Sequence, residues 1–98
     1  MGGPNDPAVD ITDNPDAGRY ELRHDGEVVG WVDYRLSDGV MTIPHVEVAR
    51  RLRGGGHSGP FLTEVLADVE RRGLKVVPLC SYAAAHIRAH PELAHLLA

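Results

Sequence analysis

The sequence predicts a small mixed α/β fold of α+β character: an antiparallel strand meander, then one strand–helix–strand unit, then a C-terminal helix. Three observations predict it. Two turn signals, Asp25-Gly26 and Ser37-Asp38-Gly39, separate three stretches of strand character. An amphipathic stretch follows, with Phe61, Leu62, Val65, Leu66 and Val69 at the spacing of one helix face. Behind it the run Leu74-Lys75-Val76-Val77-Pro78-Leu79-Cys80 is nearly all apolar.

Each element has its own reason. Residues 1–18 hold Asp6, Asp10, Asp13 and Asp16, no Lys or Arg, and few apolar side chains, which predicts a disordered acidic tail, dispensable for folding. The domain is then expected to span 19–98. Arg19 to His24 alternates and reads as the first strand, Glu27 to Leu36 as the second and Val40 to Val48 as the third. Trp31 is the expected core aromatic of the second strand, ahead of Tyr34. The helix is expected over about 60–72, with Asp68 and Arg72 paired at i, i+4 and Gly73 as its stop. The apolar run 74–80 reads as a strand buried on both faces, parallel to the third and reached by a right-handed crossover. Tyr82 to His90 reads as a short helix broken at Pro91, after which Leu93, Leu96 and Leu97 seal the core.

Composition narrows the function classes. At 98 residues the chain makes one domain with a modest, mostly aliphatic core. One Cys excludes an internal disulfide and suits a reducing, cytoplasmic setting. No stretch approaches the length of a membrane span, and the N-terminus lacks the pattern of a secretory signal. The net charge of −4 resides in the tail: its four Asp are part of the fourteen acidic residues, and the other ten balance ten Lys and Arg. A neutral body without a broad basic face argues against nucleic acid as a partner.

The stretch richest in chemistry is Arg53-Gly54-Gly55-Gly56-His57-Ser58-Gly59, between a strand and a helix and preceded by Arg50 and Arg51. Glycines let a ligand approach the backbone, a helix N-terminus favours anions, and the arginines add cations, so the pattern fits a phosphate site. Gly54, Gly56 and Gly59 match G-x-G-x-x-G, but the following strand ends in Cys80 rather than an acidic residue, against a dinucleotide fold. No Lys closes the turn as a P-loop requires.

Arg53-x-x-Gly56-x-Ser58 resembles the Arg/Gln-x-x-Gly-x-Gly/Ala signature of GCN5-related N-acetyltransferases. His45-Val46-Glu47-Val48, Val77-Pro78-Leu79-Cys80 and Arg88-x-His90-Pro91-Glu92 are similar to further elements of the small, roughly 100-residue, acetyltransferase-like family. The resemblance covers residues 19–97 and implies a minimal acetyltransferase fold without its usual N-terminal helices. It implies that Arg53, Gly54, Gly55, Gly56, His57, Ser58 and Gly59 wrap the pyrophosphate of acetyl-coenzyme A, and that the backbone of Val46 and Val48 meets its pantetheine arm. It places Cys80 near the cofactor sulfur. Ser58 stands where Gly or Ala is usual, and His57 replaces an apolar residue. Arg88 is a further candidate for a cofactor phosphate.

Acetyl transfer needs a neutral amine, which calls for a base. Strand alternation puts His45 and Glu47 on one side, and either suits that work. Cys80 is a candidate nucleophile or a small core residue. His86 and His90, at i, i+4, have the spacing of a metal pair but lack a third ligand in register, so packing is the expected role and no metal is. The expected function is acetyl-coenzyme A-dependent acetylation of a primary amine on a small molecule or protein. Its alternatives are a non-catalytic acyl-coenzyme A-binding module and an interaction domain with an empty glycine loop. Acceptor and oligomeric state are not written in the residues.

Overall fold

The computed structural model describes residues 9–49 and 58–98. Five strands form one sheet in the order β1-β2-β3-β4-β5: β1 Val9–Asn14, β2 Arg19–His24, β3 Glu27–Ser37, β4 Val40–Val48 and β5 Lys75–Pro78. The first four are antiparallel and β5 joins β4 in parallel. Helix α1, Ser58–Arg71, connects β4 to β5; α2, Ser81–Ala89, and a 3-10 turn, Pro91–Leu96, follow. The expected fold class is the one observed.

Both expected hairpins form. Asp25 and Gly26 take φ of 53° and 81°, and Asp38 and Gly39 take 52° and 78°, the left-handed pair that a two-residue type I′ turn needs. The α1 face also forms as read: Phe61, Leu62, Val65, Leu66 and Val69 are each at most 1% exposed. Gly73 ends the helix in a Schellman arrangement, with Leu74 N–H on the Val69 carbonyl and Gly73 N–H on the Glu70 carbonyl, both at 3.0 Å. Asp68 and Arg72 pair at 3.5 Å.

The helices and one sheet face enclose a single core containing Tyr20, Leu22, Val32, Met41, Ile43, Val48, the α1 face, Val76, Ala83, Ile87, Leu93 and Leu96. The opposite face is polar. Arg19, Glu21 and Arg23 of β2 stand there beside Trp31 and Asp33 of β3 and His45 and Glu47 of β4. Glu21 is 3% exposed, because Arg19 at 2.9 Å and Arg23 at 2.8 Å fold over it. The Arg19 hydrogen bond, aided by Arg23 and Asn14, holds its carboxyl below the usual carboxylate range.

Four expectations are corrected. The tail does not run to Gly18: Val9–Asn14 is edge strand β1, paired with β2 along its length. Its isolated Ile11 packs on the core, and Asp13 accepts from the Tyr34 hydroxyl at 2.6 Å and pairs with Arg72 at 3.6 Å. These polar anchors, rather than apolar burial, hold the strand, so hydropathy does not mark it. Trp31 is not in the core; its ring carries the Arg19 guanidinium, 5.1 Å from the centroid, and Tyr34 is buried instead. Strand β5 is not covered on both faces. It lies at the sheet's edge with Val76 buried and Lys75 exposed, and Leu79 beyond it is 65% exposed. Leu97 is 43% exposed because the chain end runs beside β5, where Ala98 N–H donates to the Val76 carbonyl.

Candidate functional site

The site is built on a divergence of β4 and β5. The two strands pair only over Val40–Ile43 and Lys75–Pro78. Leu79 and Cys80 then both donate their N–H to the Ile43 carbonyl, at 3.0 and 3.1 Å, and α2 begins at Ser81. β4 continues past the end of this pairing to Val48.

The ladder with β3 shows where the backbone of that stretch points. Ala49 N–H donates to the Val29 carbonyl at 2.7 Å. Bonded and non-bonded pairs alternate in an antiparallel ladder. Glu47–Trp31 and His45–Asp33 are therefore bonded pairs, and Val46–Val32 and Val48–Gly30 are non-bonded ones. The N–H and C=O groups of Val46 and Val48 thus face the slot that β5 leaves.

A register shift directs the side chains. Between Asp33–His45 and Arg35–Thr42, β3 contributes one residue, Tyr34, and β4 contributes two, Ile43 and Pro44. Proline has no N–H and is at home in such a bulge. The extra residue resets the alternation: Met41 and Ile43 face the core, and after it Val46 and Val48 do. Without it His45 and Glu47 would follow Met41 and Ile43 inward. A proline inside a strand is the sequence signal for this switch, and alternation alone misses it.

His45 Nε2 lies 3.1 Å from Glu47 Oε1 on the polar face. A carboxylate only accepts, so a neutral imidazole donates Nε2–H to it and keeps its lone pair on Nδ1. Both side chains are solvent-accessible, at 53% and 39%. Beside Glu47 a groove of about 240 Å³ is lined by Glu27, Val28, Val29, Trp31, Glu47 and Ala49.

Cys80 is half-buried against the core where β4 and β5 part, at the N-cap position of α2, and its side chain makes no capping hydrogen bond. No hydrogen bond or ion pair joins it to the His45–Glu47 pair among the described residues. Arg88 is exposed in the last turn of α2, about a helix length from Cys80. Arg53, Gly54, Gly55, Gly56 and His57 lie outside the described residues. Ser58 and Gly59 open α1, whose first turn carries no acidic side chain.

His86 of α2 and His90 just past its end pack on each other. His86 is 9% exposed, with Nε2 3.0 Å from Thr63 Oγ1 of α1, and its ring stacks on His90 at 4.2 Å. Burial, and next the neighbouring His90, push its pKa below the ordinary imidazole value. Among the described residues no group of three or more His, Cys, Asp or Glu is arranged to hold a metal, and no helix is long and apolar enough to cross a membrane.

This architecture can be set against known proteins. A family profile described as GCN5-related N-acetyl-transferase matches residues 19–96. The chain belongs to that family. The fold agrees: the NMR solution structure of a GCN5-like protein from Staphylococcus aureus superposes with a TM-score of 0.73 at 18% identity, covering 95% of this chain and 91% of that one. A search of curated proteins finds no match. In this acetyltransferase-family fold, the split between β4 and β5 is the feature that separates the slot from an ordinary parallel sheet.

Proposed function

We propose that the chain is an acetyl-coenzyme A-dependent N-acetyltransferase acting on a primary amine of a small molecule or protein. The observation that carries this reading is the slot along Val46–Val48 with the His45–Glu47 pair rising from the same strand. The residues fit the cofactor: an extended, amide-bearing pantetheine arm matches backbone groups held in strand register. The N-terminus of α1, with no acid in its first turn, suits phosphate. Arg53, Gly54, Gly55, Gly56, His57, Ser58 and Gly59 are assigned to the pyrophosphate.

When bound, acetyl-coenzyme A supplies the acetyl thioester. His45 takes the proton of the incoming ammonium on Nδ1, directly or through a water, and so frees the amine's lone pair. Glu47 holds the imidazole's orientation and stabilises the imidazolium that forms. Cys80 borders the thioester end of the slot.

Calorimetric titration with coenzyme A is the first test. Binding is expected in the wild type and strongly weakened in Gly56→Val, whose side chain obstructs backbone approach. No binding by the wild type sinks the reading. His45→Gln should then lower turnover on a panel of amines by about 10²-fold with cofactor affinity retained. Among the described residues no helix packs on the polar sheet face, which favours a second reading, a binding module without an acceptor wall. Tight coenzyme A binding with no acetylated product by mass analysis would select it.

A further inference from the structure

Gly30 of β3 is buried and stands opposite Val48. A Cβ added to it would lie 2.9 Å from the Glu47 carbonyl oxygen and 3.3 Å from both Cα and Cγ2 of Val48. The first distance is a clash with backbone, which cannot rotate out of the way. Non-bonded antiparallel pairs already bring Cα atoms closest, at about 4.5 Å. The neighbouring non-bonded pair, Val32–Val46, accommodates two branched side chains. Glycine is therefore not a requirement of this ladder in general. It is required at Gly30, where the Glu47–Val48 backbone lies too close for a Cβ.

The position matters because of what lies on the other side. Over Val40–Ile43, β4 is held between β3 and β5. Glu47–Val48 lies past the end of that pairing, so β5 does not set where this part of β4 runs, and its approach to β3 does. We propose that Gly30 is a positioning residue of the cofactor slot. By carrying no side chain it lets the Glu47–Val48 peptide sit close to β3, which sets the line of β4 along the slot and the place of Glu47. This rests on the reading of the slot as the coenzyme A site.

The test compares full-length Gly30→Ala with Gly39→Ala. Gly39 has φ of 78° and open space around an added Cβ, so its substitution strains the β3–β4 turn without touching the slot. Coenzyme A affinity by calorimetry should fall about tenfold or more in Gly30→Ala and stay within about twofold in Gly39→Ala. Wild-type affinity in Gly30→Ala overturns the inference, as does an equal loss in both variants. If the wild type binds no coenzyme A, the slot assignment has failed, and the positional claim is read from amide NMR shifts instead. Gly30→Ala should then move Glu47 and Val48 more than Met41 and Thr42; an even or absent response overturns it. Should Gly30→Ala not fold, Gly30→Ala/Val48→Ala removes the methyl nearest the new carbon and is compared with Val48→Ala alone. Equal coenzyme A affinity, or in the non-binding case equal Glu47 shifts, overturns the inference.

Discussion

Cys80 occupies the point where β4 and β5 part. Its backbone N–H is spent on the Ile43 carbonyl, so its place is set by the main chain. Its side chain is half-buried and packed against the core. A small alkylating reagent at neutral pH should modify it slowly in the folded protein, and saturating coenzyme A should slow that reaction severalfold. An unchanged rate, followed by mass spectrometry, would place Cys80 outside the occupied slot. Cys80→Ala should keep cofactor binding, since the contacts assigned to binding are made by backbone on β4 and by the glycine-rich segment.

At the scale of elements, β1 and the contact of α1 with α2 carry distinct predictions. β1 is anchored by a chain of polar contacts running from Tyr34 through Asp13 to Arg72, and on to Asp68 and the Tyr20 hydroxyl. Burial and the Asp13 hydrogen bond push the Tyr34 phenol up to about 12. The Tyr20 hydrogen bond, with Arg71 and Arg72, holds Asp68 below the usual carboxylate range. A protein beginning at Gly18 loses Asp13 and the pairing of β2's outer edge. Its melting temperature should drop by about 10 °C or more, the effect of a few kcal/mol in a domain of this size. An unchanged melting temperature would show β1 to be dispensable. At the second contact, His86 has a folded-state pKa lowered by burial. The folded state therefore binds its proton less readily than the unfolded chain. That contribution is fully present above about pH 6.5, the ordinary imidazole value. It is lost as the pH falls through the lowered folded value. His86→Gln, which can still meet Thr63 but does not titrate, should show a shallower loss of melting temperature between pH 7 and pH 5. Parallel curves for the two proteins would assign the pH dependence elsewhere.

For the whole molecule, binding and folding are linked. A ligand that binds only the folded state at about one hundred times its dissociation constant adds about 2.7 kcal/mol. Coenzyme A should therefore raise the melting temperature by roughly 10 °C. Gly56→Val should abolish most of that shift without matching loss of intrinsic stability. A shift of equal size in wild type and variant would separate binding from the glycine-rich segment.

The order of elements from Arg19 onward, both hairpins, the α1 face, its stop at Gly73 and the family are legible in the letters alone. These are local properties: turn dihedrals, helical spacing and motif letters are carried by neighbouring residues. The letters also name His45 and Glu47 as a pair. Why that pair faces outward is visible in the folded chain and not in the letters, because the switch depends on a bulge between two strands at Ile43–Pro44. The tertiary structure alone showed β1, whose hold on the fold is a set of polar contacts to residues up to 59 positions away, Asp13 with Arg72. It alone put Trp31 outside the core, since which sheet face receives the helices is settled by packing rather than by hydropathy. The importance of Gly30 likewise lies in a distance to the opposite strand. Contacts between distant residues depend on register and closeness of approach, and a single chain of letters encodes these only through the fold it adopts.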